Sequence, residues 1–143
     1  MSGMFGRILV AYDDSGGARA ALAAALHLAQ TNRSEIVAVA VEAHLPHYAA
    51  TVGEVEEEHA VERQTCARWL TSASAAAGEH GIPLATQIRA GHPAHEILAA
   101  AEACDAGLIV LGHSGHSQLW GRLIGSTTER VSRHAHCSVL IVR

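Results

Sequence analysis

The most informative absence from this 143-residue chain is lysine, since all ten of its basic residues are arginine. A nucleotide-binding loop of the G-x-x-x-x-G-K-[ST] type needs a lysine that reaches the terminal phosphates. The P-loop NTPase mechanism is therefore excluded. The sequence also lacks a Gly-x-Ser-x-Gly nucleophile elbow and a prominent pair of catalytic carboxylates. These absences favour a binding protein over an enzyme.

The chain also has few cysteines, no positive net charge and no long apolar run. The three cysteines, Cys66, Cys104 and Cys137, fit neither a disulfide framework nor a C-x-x-C motif, and we expect them to pack as small apolar residues. A net charge of -4 gives no general attraction to nucleic acid. No run of about 18 apolar residues and no basic segment before a long apolar core is present. We expect a cytoplasmic protein that binds neither membranes nor nucleic acid.

The order of apolar patterns predicts a single α/β domain over residues 1–143. Hydrophobic residues make up 49% of the chain and charged residues 17%, which is typical of a compact globular protein. Buried-type patterns predict strands over 7–12, 35–42, 84–90, 107–112 and 137–142, and helical patterns predict helices over 18–30, 54–79, 93–104 and 125–135. Strict alternation of five strands and four helices indicates a doubly wound parallel sheet. The alternating segment 84–90 suits an outer strand.

Two of these strands end in residues suited to bind a nucleotide. The first runs into Asp13, the fourth runs into a glycine-rich segment from Gly112, and Gly125-Ser126-Thr127 then opens a helix. Ligands of such sheets bind outside the carboxyl ends of the strands. Glycine lets phosphates approach the backbone, and helix amides and hydroxyls can donate to anionic oxygens. Because an aspartate can accept hydrogen bonds from ribose hydroxyls, the combination predicts a nucleotide site.

The same glycines belong to a longer pattern. Gly112, Gly115, Gly125 and Ser126 have the spacing G-x2-G-x9-G-[ST], and the chain also contains the segments RILVAYDDS, AGHPAHEIL and ERVSRHAHCSVLIVR. In this order the four landmarks resemble those of the universal stress protein family, over about residues 7–143. A lone G-x-x-G would be weak evidence for a family, whereas four landmarks in the same order are a specific signal.

This resemblance implies a fold, a ligand and a set of binding residues. The implied sheet has five parallel strands in the order 3-2-1-4-5, and the implied ligand is ATP, or AMP, with Mg²⁺ carried by the nucleotide phosphates. Tyr12 and Asp13 would border the adenosine, with Asp13 on the ribose, and Val41 would touch the adenine. Leu111 and Gly112 would flank the ligand. The phosphates would be held by Ser114, Gly115, Gly125, Ser126 and Thr127. The family also suggests a stress-response or signalling role.

The chain departs from the family pattern at Ser114, at His116, where a basic residue is common, at Asp14, and at Ser138, where a proline is usual. Ser114 stands where a histidine or an arginine is common, so less fixed positive charge is expected near the phosphates. Asp14 stands where a glycine is common, and it could either repel phosphates or hold a magnesium ion that bridges them. We therefore expect backbone amides to donate most of the hydrogen bonds that hold the phosphates.

Structural roles for the same residues remain open. Asp13 could serve only its turn, Gly112 and Gly115 could serve only a tight turn, and Ser126 and Thr127 could merely cap a helix. The close histidine pairs lack further ligands at zinc-motif spacing, so we expect no dedicated metal site. Trp69 is expected to pack in the core rather than to serve as a recognition platform.

Three functions are consistent with these patterns. The first is an ATP-binding module with at most slow turnover, and the second is a weak ATP hydrolase or phosphotransferase that uses Asp13, Asp14 and magnesium. The third is an interaction scaffold with a vestigial pocket. Independently of these, the last strand has no charge, proline or glycine between Cys137 and Val142. An undefended apolar edge of this kind predicts a homodimer through that strand, as in many members of the family.

Overall fold

A computed structural model describes residues 3, 5–43, 51–113 and 124–143. The strands are β1 (Arg7–Ala11), β2 (Glu35–Ala43), β3 (Leu84–Gly91), β4 (Leu108–Gly112) and β5 (Ser138–Val142). The helices are α1 (Gly16–Asn32), α2 (Val52–Glu79), α3 (Pro93–Ala103) and α4 (Ser126–His134). All nine predicted elements are present, and their ends differ from the predicted ends by two residues or fewer.

The five strands form one parallel sheet in the order β3-β2-β1-β4-β5. This topology confirms the predicted doubly wound fold with a single domain. β1 and β4 lie inside the sheet, where Leu9, Val10 and Ile109 have no exposed surface. β3 lies at one edge, as its alternating sequence predicted, and has no fully buried residue. β5 lies at the other edge and pairs with β4.

Alternate residues of each strand face opposite layers of helices. Ile8 and Val10 of β1 belong to a core cluster with α1 and α2, whereas Leu9 between them belongs to a cluster with α3 and α4. This follows from the two-residue period of a strand. The thiols join these apolar layers as expected, because Cys66 is buried and Cys104 and Cys137 pack against the α3–α4 cluster. Burial raises the pKa of the Cys66 thiol to about 11.

Two helices begin at side-chain caps. Ser15 caps α1, which therefore starts two residues before its predicted start. Thr51 caps α2 through a capping box: its hydroxyl accepts from the backbone N–H of Glu54, whose carboxylate accepts from the Thr51 N–H. The Thr-x-x-Glu signal for this start is local and readable in the sequence. Among the helices of the described ranges, none has the length and apolar character needed to cross a bilayer.

Candidate functional site

A cavity of about 370 Å³ lies at the carboxyl ends of β1, β2 and β4. The strand order reverses between β1 and β4, so the cavity occupies the position where doubly wound folds bind ligands. It is lined by eight of the ten residues predicted for the site: Tyr12, Asp13, Val41, Leu111, Gly112, Gly125, Ser126 and Thr127. The other two, Ser114 and Gly115, fall outside the described residues.

Asp13 forms the turn that joins β1 to α1. Its Oδ1 accepts a hydrogen bond from the backbone N–H of Ser15 at 3.0 Å. Ser15 then caps the helix, because its Oγ accepts from the N–H of Ala18 at 3.1 Å. The turn role that the sequence left open for Asp13 is therefore present. The same residue also lines the cavity, so the turn holds a carboxylate beside the space for a ligand.

Gly112 lets the end of β4 lie directly against the start of α1. A Cβ atom at this position would lie 2.6 Å from the carbonyl carbon of Gly17 and 2.7 Å from its oxygen. Atoms do not approach so closely, and the obstacle is backbone rather than a side chain that could turn away. The glycine is thus required by the close approach of strand and helix, which differs from the tight turn considered from the sequence.

The N-terminus of α4 forms the wall of the cavity beside β4. Gly125 is the N-cap, so the hydroxyls of Ser126 and Thr127 are not the cap of this helix. Thr128 is buried, and its Oγ1 donates to the carbonyl oxygen of Gly112 at 2.9 Å. This bond fixes the start of the helix to the end of the strand. The N–H groups of the first helical turn have no acceptor within the helix and are available to an anion.

Three helices begin at the wall of the cavity. α1, α3 and α4 all begin at its wall, where Ser15, Pro93 and Gly125 line it. Helix N-termini carry partial positive charge, and three of them favour an anionic ligand. Asp13 is the sole ionised side chain among the described lining residues, and it is negative. Attraction for an anion within this part of the wall must therefore come from backbone amides and neutral hydroxyls rather than from cationic side chains.

Asp14 belongs to a polar cluster beside the cavity. Its Oδ1 accepts hydrogen bonds from the Tyr12 hydroxyl at 2.9 Å, Ser72 Oγ at 3.2 Å and Arg19 Nε at 3.1 Å. The Arg19 hydrogen bond lowers the pKa of the Asp14 carboxyl, while burial raises the pKa of the Tyr12 hydroxyl and keeps it a donor. The cluster joins β1, α1 and α2. This role differs from both the phosphate repulsion and the magnesium binding considered for Asp14.

Several residues of the cavity wall were not predicted for the site. Trp69 packs against the core as expected, but it also lines the cavity, as do Ile97 of α3 and Thr128 of α4. Pro93 lies in the AGHPAHEIL segment, which was noted only as a family landmark. No local pattern marks Trp69 or Ile97, because helices over different strands bring them to this edge of the sheet.

A metal centre receives no support from the histidines in the described ranges, where no three His, Cys, Asp or Glu side chains converge. The close pairs instead have separate contacts. His92 Nε2 lies 3.0 Å from Arg130 Nη1, and His136 Nε2 lies 3.7 Å from Glu102 Oε1.

The fold and the site together define a doubly wound α/β protein with a cavity at its switch point. The sequence model of the universal stress protein family matches residues 4–143, and the chain belongs to that family. Universal stress protein YxiE of Bacillus subtilis (strain 168) is 36% identical over 98% of this chain and 100% of its own length. Universal stress protein UspA from Lactobacillus plantarum superposes with a TM-score of 0.88, at 29% identity over 97% of this chain and 98% of the other.

Two more distant structures contain nucleotides. A universal stress protein in complex with cAMP superposes with a TM-score of 0.75, at 22% identity over 99% of both chains. The universal stress protein from Archaeoglobus fulgidus in complex with dAMP superposes with a TM-score of 0.72, at 22% identity over 99% of this chain and 100% of the other. At these identities the likeness establishes the common fold.

Proposed function

We propose that this protein is a stress-response or signalling module that binds ATP in the cavity between β1 and β4 and turns it over slowly or not at all. The observation that carries the proposal is one continuous cavity that joins Asp13, at the end of β1, to the N-terminus of α4. A carboxylate for the ribose and backbone amides for the phosphates then face one space. In this proposal residues 1–143 form one nucleotide-binding domain.

Adenine nucleotides are the class of ligand that the structural neighbours favour. The complexes with cAMP and dAMP both pair the same fold with an adenine nucleotide. We extend this to ATP because the sequence carries the G-x2-G-x9-G-[ST] spacing, of which Gly112, Gly125 and Ser126 line the cavity. Ser114 and Gly115 would contribute to the phosphate contacts, and Mg²⁺ would be held by the phosphates themselves.

Calorimetry with ATP and magnesium tests the proposal directly. We expect micromolar affinity, or a binding free energy of about -7 to -8 kcal/mol. In a thermal melt, a hundredfold excess of ATP over the dissociation constant should stabilise the protein by about 2.7 kcal/mol. AMP is the second ligand to measure. If neither nucleotide produces heat or a melting shift at millimolar concentration, the proposal is wrong.

Turnover is a separate question from binding. A hydrolase would need a base or a magnesium ligand near the terminal phosphate, and Asp14 was the candidate for the second task. Its Oδ1 instead accepts from Tyr12, Ser72 and Arg19, which favours binding without rapid chemistry. A single-turnover assay with labelled ATP should show product formation far slower than nucleotide release. Product formation faster than release would contradict the binding-module assignment.

The edge strand β5 is the feature on which our proposal for the oligomeric state rests. In the described part of the chain β5 pairs with β4 alone, and Leu140 remains 36% exposed. We propose an antiparallel homodimer through β5, because an unpaired apolar edge favours association with a second copy. The predictions of a cytoplasmic location and of no nucleic-acid partner rest on the sequence.

Sedimentation equilibrium at micromolar concentration tests the dimer. Leu140→Lys should convert it to a monomer, since the new charge would oppose its mate across the two-fold axis. Val61→Lys adds the same charge on α2, where Val61 is 62% exposed, and should leave the dimer intact. Val139 is unsuitable for this test because it packs against the α3–α4 cluster. A mass of 15.0 kDa for the unmodified protein would exclude the dimer.

A further inference from the structure

Helix α2 packs on the rest of the protein through two neighbouring stripes of residues. The first stripe is fully buried and consists of Cys66, Leu70, Ala73 and Ala77. Trp69 and Ser72 lie beside it on a half-buried flank, because residues three positions apart share a helix face. This flank looks toward the end of β1 rather than straight down onto β2. Trp69 is therefore placed between the core and the cavity.

The position of this flank is fixed by hydrogen bonds one turn away. Ser72 Oγ donates to Asp14 Oδ1 at 3.2 Å and lies 3.5 Å from the Tyr12 hydroxyl. Part of the Trp69 side chain packs against two core clusters, which restricts its rotamers. The indole is thus held in place before any ligand arrives, and a preordered aromatic surface loses little entropy on binding.

The topology assigns different parts of a nucleotide to the two sides of the cavity. The amides of α4 lie beside β4, whereas Val41 lies on β2, with β1 between them. Neighbouring strands are about 4.8 Å apart, so β4 and β2 are separated by about 10 Å. A nucleotide whose phosphates contact α4 and whose ribose contacts Asp13 on β1 extends its base toward β2. That is the side of the cavity on which α2 packs.

Trp69 is also the better placed of the two aromatic residues that line the described wall. Tyr12 is only 4% exposed, and its hydroxyl is bonded to Asp14. It supports the wall but offers little ring surface. Trp69 is half-buried and offers part of its indole to the cavity.

We propose that the Trp69 indole is the surface against which the nucleobase packs, and that it makes the site prefer purines. This inference rests on the proposed nucleotide function and adds a residue that determines specificity. Stacking on an aromatic side chain contributes about 1–3 kcal/mol per base, which corresponds to a change of roughly 5- to 150-fold in affinity. A purine has the larger ring surface and gains more than a pyrimidine from the same indole.

Fluorescence provides the first test, because the chain has two tryptophans, Trp69 and Trp120. In a Trp120→Phe background, saturating ATP should quench or shift the emission of Trp69 with the dissociation constant measured by calorimetry. Ribose 5-phosphate, which lacks the base, should leave the emission unchanged at an equal degree of saturation. An emission that does not respond to bound ATP would overturn the inference.

Affinity provides the second test. Trp69→Leu should weaken ATP binding roughly 5- to 150-fold and weaken UTP binding less, so that the ratio of ATP to UTP affinity falls. Trp69→Phe should recover part of the loss. Leu28→Ala is the matched control, since Leu28 packs against the same core cluster from α1 and does not line the cavity. It should lower the melting temperature and leave both affinities unchanged.

The outcomes separate this inference from the function on which it rests. If the unmodified protein binds no adenine nucleotide, both are wrong. If it binds ATP but Trp69→Leu retains the affinity and the ATP to UTP ratio, only the role of Trp69 is wrong. A loss shared equally by ATP, UTP and ribose 5-phosphate would indicate general damage to the cavity and would also overturn the role in base recognition.

Discussion

The two sides of the cavity are built on opposite principles. The side formed by β4 and α4 depends on missing side chains: Gly112 lets a strand meet a helix, and Gly125 opens a helix whose amides face the cavity. The side formed by β1 and α2 depends on side chains that interlock, with Asp14 as the common acceptor. The β4–α4 side presents backbone groups to the cavity, whereas the β1–α2 side presents side chains that hydrogen-bond with one another.

This difference separates the expected effects of mutations. Added bulk should damage the glycine side most, because the atoms that face Gly112 are backbone and cannot move aside. Removal of atoms should damage the interlocked side most, because each side chain positions another.

Gly125→Val should abolish nucleotide binding, with a loss of at least about 3 kcal/mol, because the side chain would fill space proposed for the phosphates. The backbone of Gly125, at φ -59° and ψ 149°, is accessible to valine, so stability should change little. Calorimetry with ATP measures the loss. His116→Ala removes a basic group that follows Gly112 by four positions in the sequence, and it should cost about 1 kcal/mol or less at neutral pH. Equal losses from both variants would contradict a backbone phosphate site.

Gly112→Ala should lower the free energy of unfolding by about 2–3 kcal/mol, since the added methyl group overlaps the backbone of Gly17. Chemical denaturation measures this change. Gly78→Ala is the control, because Gly78 lies within α2 and has open space around the position of a Cβ atom. That variant should be neutral or more stable by up to about 1 kcal/mol. Similar destabilisation in the two variants would refute the close-approach role of Gly112.

Asp14→Ala should lower the free energy of unfolding by about 2 kcal/mol through two separable causes. The backbone at Asp14 has a positive φ of 59°, a conformation that aspartate and glycine adopt more readily than alanine, by about 1 kcal/mol. Loss of its hydrogen bonds with Tyr12, Ser72 and Arg19 accounts for about another 1 kcal/mol at this partly exposed site. Asp14→Gly removes the same hydrogen bonds without the backbone strain, so its loss of stability should be about half of that caused by Asp14→Ala. If both variants are equally unstable, backbone strain contributes nothing.

Asp14→Asn isolates the charge and should have the smallest effect, about 1 kcal/mol or less. The pKa of Asp14 is lowered in the folded protein, first by its hydrogen bond with Arg19. A lowered carboxyl pKa stabilises the fold above the unfolded-state value of about 4, and this contribution disappears as the pH falls through the folded-state pKa. The stability gap between the two proteins should thus be constant near neutral pH and close below about pH 4. Denaturation curves at pH 7 and pH 3 measure it, and a gap that widens in acid would reverse the assigned sign.

Much of the architecture could be predicted because its signals are local. Buried strands such as 107–112 are continuous apolar runs, and their alternation with helical patterns fixed the fold class. The glycine side of the site was equally accessible, since Gly112, Gly125 and Ser126 lie close together in sequence and their spacing is itself the pattern. The strand order came from the family resemblance rather than from these local signals.

The interlocked side could not be predicted in the same way. Asp14 and Ser72 lie 58 positions apart, and nothing near either residue indicates the other. Trp69 has the spacing of a core residue, and only the packing of α2 over β2 carries part of it to the cavity. The need for glycine at position 112 likewise depends on Gly17, which a different helix start would have moved away.

The sequence by itself determined the elements, their alternation and the glycine-rich edge, because periodicity and spacing act over a few residues. Only the tertiary structure decided which side chains face Asp14, that Trp69 reaches the cavity, and that three helix N-termini meet at one wall. These features depend on distances between elements that are remote in the chain. Such distances are set by the packing of whole helices against the sheet, and no short segment encodes them.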